Sequence, residues 1–197
     1  INGSGKHVNW SVGNATQGNL LDPGKTPHDN LNFLLFCGAV IRGVEKFGPL
    51  LRAVIASAGN DHRLGANEAP PAILSVYLGD QLEKVFQDIK EGKLIKAAMG
   101  GEMNLGLSQI LNFERDPGDR NRTSPFAFTG NRFEFRAVGS AQSVSGPLVA
   151  MNTMLADSLN WIAGKLEAEL SKGTDKTAAV IVVLQELIQK HGNAVFG

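Results

Sequence analysis

Cysteine is almost absent from this sequence: among 197 residues there is one, Cys37. A single cysteine excludes an internal disulfide. It lies in the apolar run Phe33-Leu34-Leu35-Phe36-Cys37, so we interpret it as a small buried hydrophobe and not as a catalytic thiol. The scarcity of cysteine is consistent with a reducing compartment.

An excess of charge of either sign is also lacking, because 19 Lys and Arg face 19 Asp and Glu. Nucleic-acid-binding proteins usually carry a basic excess, and membrane-surface proteins a basic amphipathic helix. We therefore expect neither a nucleic-acid nor a membrane partner. No apolar run approaches the ~20 residues of a spanning helix. The sequence starts at Ile1 and has no polar tail, so we expect a fragment of a longer protein, truncated at both ends.

What is present suffices for a core, since 43% of the residues are hydrophobic and the length suits one domain or one large lobe. Alternation predicts a strand over residues 5–12, a β-branched run predicts another over 73–78, and a third is predicted over 132–136. Polar loops are predicted at 13–25, 58–71 and 114–131. The class is α+β: a few strands with polar faces, backed by helices.

Five helical segments are predicted. Thr26-Pro27 is a typical helix start, and the first helix should run to about residue 46. Phe47-Gly48-Pro49 should break it, and a second short helix is predicted over 49–57. Amphipathic spacing predicts helices over 80–91 and 146–171. Gly173 should end the helix over 146–171, and Thr174 or Asp175 should cap a last helix that reaches about His191.

The strand Arg132-Phe133-Glu134-Phe135-Arg136 places three charged side chains on one face. Arginine grips phosphate or carboxylate oxygens, and glutamate is a hard oxygen ligand for magnesium. The pattern therefore suits a site that holds phosphate and a metal ion. A solvated sheet face with ordinary ion pairs is the alternative.

The opening stretch Asn2-Gly3-Ser4-Gly5-Lys6-His7 looks at first like a phosphate-binding loop. That motif needs Ser or Thr after the lysine and a helix afterwards, whereas here His7 and a strand pattern follow. His7, Asn9 and Ser11 share one face of this strand. His7 is a candidate metal ligand, although a lone histidine is more often only hydrogen-bonded.

Two polar loops carry further candidates. Arg63 and Glu68 lie between Gly59 and Pro70, where a mobile loop could close over a substrate; a surface loop with a casual ion pair is the alternative. The second loop reads Asp119-Arg120-Asn121-Arg122-Thr123-Ser124-Pro125, and its arginines either bind phosphate or are simply solvated.

In this order and spacing, the four clusters resemble the motif set of glutamine synthetases. The set is Asn-Gly-Ser-Gly-x-His, Arg-Leu-x-x-x-Glu-Ala-Pro, Arg-Asn-Arg, and Arg-φ-Glu-φ-Arg with φ apolar. The resemblance covers about residues 2–140. The segments Lys-His-Val-Asn-Trp-Ser and Asn-Arg-Thr-Ser-Pro-Phe-Ala-Phe are most like those of the type III class. The resemblance implies that residues 1–197 are part of the catalytic domain, which has antiparallel-type strands backed by helices and is incomplete here. It also implies that 142–197 form a mainly helical C-terminal portion.

The resemblance also implies an activity: ATP-dependent ligation of ammonia to the side-chain carboxylate of L-glutamate through a γ-glutamyl phosphate. The implied cofactors are ATP and Mg²⁺ or Mn²⁺, and the implied assembly is a homo-oligomeric ring. A cytoplasmic location is expected, or an organelle in a eukaryote. The fragment alone is expected to be inactive. Alternatives are a related ligase for another amine or amino acid, and a non-catalytic scaffold derived from the family.

The implied residue roles fall into four groups. His7 and Glu134 would bind a metal ion. Asn2, Gly3, Arg63 and Arg136 would bind the amino-acid substrate. Asn9, Ser11, Arg122 and Arg132 would contact the nucleotide and its phosphates. The implied catalytic residues are Glu68, Arg63, Arg122 and Arg136, with Glu68 on a flap that helps to bind and deprotonate ammonium.

Three positions depart from the common family pattern. Asn9 stands where many members have a second histidine, so a polar nucleotide contact is expected there. The loop from Arg63 to Glu68 is one residue shorter than the common form. Ala127 stands where a further arginine is expected, so the contacts to ATP should differ locally.

Overall fold

The computed structural model describes residues 6–55, 74–93, 124–139 and 142–196. Strands and helices alternate irregularly along this part of the chain, which confirms the α+β class. In order the elements are β1 (Lys6–Trp10), β2 (Gly13–Asn14), β3 (Gly18–Asn19), α1 (Leu31–Ile55), β4 (Val76–Tyr77), α2 (Asp80–Lys90), β5 (Phe126–Phe128), β6 (Phe133–Val138), α3 (Ser145–Ser171), α4 (Lys176–His191) and α5 (Asn193–Phe196).

Four of the strands form one sheet in the order β1-β6-β5-β4. β6 is antiparallel to both of its neighbours, whereas β4 pairs parallel to β5. β5 and β6 form a hairpin whose loop is closed by the Thr129 N–H donating to the Arg132 carbonyl at 2.8 Å. Gly130 supplies the left-handed backbone that this loop needs, with φ of 92°. β2 and β3 form a separate two-stranded hairpin.

One face of the sheet contributes aromatic side chains to the core. Phe126, Phe133 and Phe135 are all fully buried, and the ring of Phe126 lies 5.3 Å from Phe133 and 5.2 Å from Phe135, centroid to centroid. Tilted rings at this separation are a favourable aromatic arrangement. The period-two pattern of this strand pair therefore decides which face is packed and which is left for polar groups.

Helices supply most of the rest of the core, above all α1, α3 and α4. α1 packs against both α3 and α4. At Gly38 an added Cβ would come within 3.3 Å of Leu184 and 3.4 Å of Leu187, so the absence of a side chain lets α4 approach α1 closely. Cys37 is fully buried, which confirms its interpretation as a core residue, and burial raises the pKa of its thiol well above the usual value.

The predicted start of the first helix is wrong by about four residues. α1 begins at Leu31, because the Asn30 side chain accepts a hydrogen bond from the Phe33 N–H at 3.1 Å and caps the helix. Thr26 instead starts a turn, its carbonyl accepting from the Asp29 N–H at 3.0 Å. The predicted break is confirmed by non-helical dihedral angles at Phe47, after which the helix continues to Ile55.

Other elements follow the predicted pattern with shifted ends. α2, α3 and α4 confirm the later helices, and Asp175 is the residue that caps α4. Gly173 has φ of 84° directly after α3. The predicted polar loops at 13–25 and 114–131 were partly wrong, since β2 and β3 lie in the first and β5 in the second. Within the described residues, the strand predicted over 73–78 is only Val76–Tyr77.

Candidate functional site

The polar face of the sheet is made by β1 and β6 together. Along β1 the exposed residues His7 and Asn9 alternate with the half-buried Val8 and Trp10. Along β6, Glu134 and Arg136 alternate with buried phenylalanines. Asn9 lies directly opposite Glu134. Alternation therefore collects the predicted metal and substrate residues of two distant segments on one surface.

The register between β1 and β6 is interrupted next to His7. Val8 pairs with Phe135 but Lys6 pairs with Val138, so β6 has one more residue than β1 in this interval. Bulges bend a strand locally and redirect side chains, and they are common beside active sites. The His7 Nδ1 lies 3.1 Å from Glu134 Oε1.

Glu134 also binds Arg136. The Arg136 Nε donates a hydrogen bond of 2.7 Å to Glu134 Oε2. The side chains of Glu134 and Arg136 are 19% and 12% exposed, whereas that of His7 is 49% exposed. Partial burial alone would raise the pKa of Glu134, but the hydrogen bond and charge of Arg136, and then His7, outweigh it and hold this pKa below its usual value. The carboxylate is thus kept ionised.

The separation of His7 and Glu134 matches the spacing of two ligands of one divalent cation. Two ligands that bind a Mg²⁺ or Mn²⁺ ion at about 2.1 Å and at right angles stand roughly 3 Å apart. The nitrogen and oxygen of His7 and Glu134 are separated by 3.1 Å, so they fit as two neighbouring ligands. No group of three or more His, Cys, Asp or Glu suited to a metal ion occurs among the described residues. The pair by itself offers two ligands at most, so a cation site would need further groups.

Ser11 and Arg132 lie at the end of the same strand pair. Trp10 pairs with Phe133, and Ser11 and Arg132 are the next residues outward on each side. Both are exposed. The predicted nucleotide contacts Asn9, Ser11 and Arg132 thus follow one another along the polar face, beyond the His7–Glu134 pair.

Asn9, Glu134, Ala127 and Tyr77 form one cross-strand row over the four strands β1, β6, β5 and β4. Ala127 on β5 lies opposite Glu134, and Tyr77 on β4 pairs with Ala127. The family's expected arginine would therefore have stood directly beside Glu134. Sequence reasoning did not single out Tyr77, because only strand pairing places it in this row.

Five predicted site residues lie outside the described part of the chain, so their placement stays a prediction: Asn2, Gly3, Arg63, Glu68 and Arg122. The structure brings His7, Glu134 and Arg136 into direct contact. Within the ranges described, no helix is long and apolar enough to cross a membrane.

Comparison with known proteins gives relatives of one kind. Over 196 residues the chain is 48% identical to a type-3 glutamine synthetase of Dictyostelium discoideum, covering 100% of the chain and 26% of that relative. It is 46% identical to a glutamine synthetase of Bacteroides fragilis over 95% of the chain. It is 44% identical to one of Butyrivibrio fibrisolvens over 100% of the chain. The chain spans about a quarter of the length of these curated relatives. No family model matches it.

Proposed function

We propose that this chain, which belongs to the glutamine synthetase family, forms one wall of the site at which the whole protein joins ammonia to the side-chain carboxylate of L-glutamate with ATP. The observation that carries the proposal is the contact of Glu134 with both His7, at 3.1 Å, and Arg136, at 2.7 Å, on one polar sheet face. An ionised carboxylate between an imidazole and a guanidinium suits a site that binds cation and anion side by side.

The reaction has two steps. The γ-carboxylate oxygen of glutamate attacks the terminal phosphorus of ATP, and ADP leaves. Ammonium then loses a proton, its nitrogen attacks the acyl carbon, and phosphate leaves. Both steps crowd negative oxygens together, so the site must supply positive charge and hydrogen-bond donors that are already in place.

This chain supplies several of those groups. His7 and Glu134 would hold a divalent cation, which offsets charge on the phosphates when bound. The Arg136 side chain is held by its hydrogen bond to Glu134, and we assign to it a contact with the reacting carboxylate of the substrate. Asn9, Ser11 and Arg132 lie further along the same face, where we assign nucleotide and phosphate contacts.

For the residues outside the described ranges, we assign roles from the sequence motifs alone. Asn2, Gly3 and Arg63 bind the amino-acid substrate, Arg122 contacts phosphate, and Glu68 takes the proton from ammonium. Because the chain is about a quarter of its relatives' length, we expect the 197 residues alone to form no glutamine.

Binding can be tested on the chain itself. ATP with Mn²⁺ at ten times its Kd should stabilise the folded state by about 1.4 kcal/mol, which for this size raises Tm by about 3–6 °C. Glu134→Ala should abolish the rise. The matched control is Glu167→Ala on the exposed side of α3, which should retain it. An equal rise in the Glu134 variant would contradict the proposed cation site.

Catalysis requires the longer context. We would replace the matching quarter of the Dictyostelium relative by this chain and measure glutamine formation from glutamate, ammonia and ATP. The chimaera should be active, and its Glu134→Ala version should lose activity by a factor of about 100 or more, because loss of a proposed ligand should exceed the roughly 10–100-fold cost of losing an outer partner of a ligand. A folded, ATP-binding but inactive chimaera would reject the synthetase assignment for this chain.

A further inference from the structure

β1 lies at the edge of the sheet that the described strands form. Its one strand neighbour there is β6, and the register with that neighbour is interrupted between Lys6 and Val8. A strand with one neighbour and a ladder interrupted by a bulge has fewer backbone hydrogen bonds to fix it than a central strand has. Contacts beyond the sheet ladder therefore contribute more to the placement of His7.

Two side-chain hydrogen bonds supply such contacts, one at each end of β1. The Lys6 Nζ donates to the backbone carbonyl of Gln142. The Trp10 Nε1 donates to the Asn152 Oδ1 at 3.0 Å. Both acceptors belong to one stretch of chain, the approach to α3 and its first two turns. His7 and Asn9 lie between the two anchors.

Trp10 is well suited to transmit the position of the helix. Its half-buried ring packs against the hydrophobic core and lines one small pocket together with Val40, Met151 and Leu155 of α1 and α3, so the indole is restrained. An indole N–H can only donate, and its acceptor here is the Asn152 side chain. Since α3 is a long helix packed on α1, the backbone at Asn152 is held in place, and the exposed side chain extends from it to the indole.

We infer that Asn152 is a positioning residue for the proposed site: through the Trp10 indole it fixes β1 against β6 and thereby sets the separation of His7 from Glu134. The inference rests on the proposed function, because it matters only if the two groups act together. Magnesium demands nearly ideal octahedral geometry, and a misplacement of about 1 Å can cost on the order of 100-fold in a reaction. A single anchor three residues away is thus enough to affect the site.

Four variants of the chain separate this role from general stability. Asn152→Leu removes the acceptor at similar size, and Asn152→Asp keeps an acceptor oxygen in the same place. Trp10→Phe removes the donor and keeps an aromatic ring. Asn160→Leu, at an exposed position further along α3, is the matched control for a leucine on this helix.

Two readouts are needed. The first is the NMR signal of the His7 ring, assigned with His7→Gln, which reports its surroundings without any ligand. The second is the Kd for ATP with Mn²⁺. We expect Asn152→Leu to shift the His7 signal and weaken binding about tenfold, the lower end for outer partners of metal ligands. In Asn152→Asp, the His7 signal and the Kd should stay close to those of the original chain. The double variant with Trp10→Phe should be no worse than either single one, because both remove the same bond.

The outcomes distinguish the two proposals. If the original chain binds ATP with Mn²⁺ and Asn152→Leu changes neither readout beyond Asn160→Leu, the positioning role is wrong and the proposed function stands. If the His7 signal shifts in Asn152→Leu and returns in Asn152→Asp while no version binds, the positioning role stands and the proposed cation site is wrong. Additive losses in the double variant would overturn the assigned route through Trp10.

Discussion

Replacing Asp157 by asparagine tests what holds α1 against α3. The Arg42 Nη1 donates to Asp157 Oδ2 at 2.7 Å and to Ser158 Oγ at 3.1 Å. The Arg42 side chain is only 5% exposed, and its guanidinium carbon lies 5.1 Å from the Trp161 ring centre. Arg42 is therefore a nearly buried cation whose one carboxylate partner among the described residues is Asp157, which Lys46 also contacts at 3.0 Å.

The magnitude follows from these contacts. Asparagine keeps the shape of Asp157 and differs little in helix propensity, so mainly the charge is lost. A hydrogen bond to a charged group is worth about 1 kcal/mol more than a neutral one. Asp157 is 41% exposed, so water screens the pair and the Lys46 contact adds only a few tenths. We expect Asp157→Asn to lower the free energy of unfolding by about 1–1.5 kcal/mol, and Tm by about 2–6 °C.

Removing the other partner of this ion pair should lower the free energy of unfolding by less. Arg42→Met removes the buried charge, keeps apolar packing and leaves Asp157 partly hydrated beside Lys46. The Arg42 Nε is buried and has no hydrogen-bond partner within the described ranges, so its removal also relieves a desolvated donor. Replacing both members of a buried ion pair by apolar side chains is often neutral, and here the carboxylate that is left behind is 41% exposed and stays hydrated. We expect a change below about 1 kcal/mol, by urea denaturation followed by circular dichroism.

The pH dependence has a defined sign. The hydrogen bonds of Arg42 and Lys46 hold the pKa of Asp157 below its usual value. A carboxylate whose pKa is lowered on folding contributes stability above its unfolded pKa of about 3.9, and loses it as pH falls through the folded value. The difference in the free energy of unfolding between the original chain and Asp157→Asn should persist from pH 7 to 5 and disappear below about pH 4.

The matched control for these substitutions is Glu167→Gln on α3. The reasoning would be refuted if Arg42→Met lowered the free energy of unfolding by over 1 kcal/mol more than Asp157→Asn does.

Three further predictions concern local features. Cys37 should not react with a thiol reagent at pH 8 until the chain unfolds, because burial raises the pKa of its thiol; fast reaction of native protein would contradict its burial. Asp175→Ala should lower stability by about 1 kcal/mol, since this carboxylate caps α4 by accepting from Thr177 N–H at 3.0 Å, and Asp175→Asn should lose less. Gly173→Ala should cost about 1 kcal/mol in denaturant unfolding, because φ is 84°, and a neutral result would show that the backbone there can relax.

Sequence patterns alone predicted much of the local structure, for reasons that act over a few residues. Alternation in the strand around Glu134 and helical spacing after residue 145 are short-range patterns, and packing agreed with both. The start of α1 was predicted wrongly because Thr26-Pro27 and Asn30 compete as helix starts. Only the tertiary arrangement selected Asn30, by burying Phe33 directly behind it. β5 was read as loop, because its strand character depends on pairing with β6.

The sequence by itself showed the resemblance to glutamine synthetases and the residue types of the candidate site, because ordered motifs such as Arg-Phe-Glu-Phe-Arg can be recognised without a structure. It also determined that Glu134 and Arg136 share a face, because the strand period is two. Only the tertiary structure decided that His7, 127 residues away in the chain, meets Glu134 at 3.1 Å. It likewise decided that Asn152 receives the Trp10 indole N–H and that Ala127 stands beside Glu134. Strand register, a bulge and helix packing join residues that no local pattern connects, and these contacts form only when the core closes.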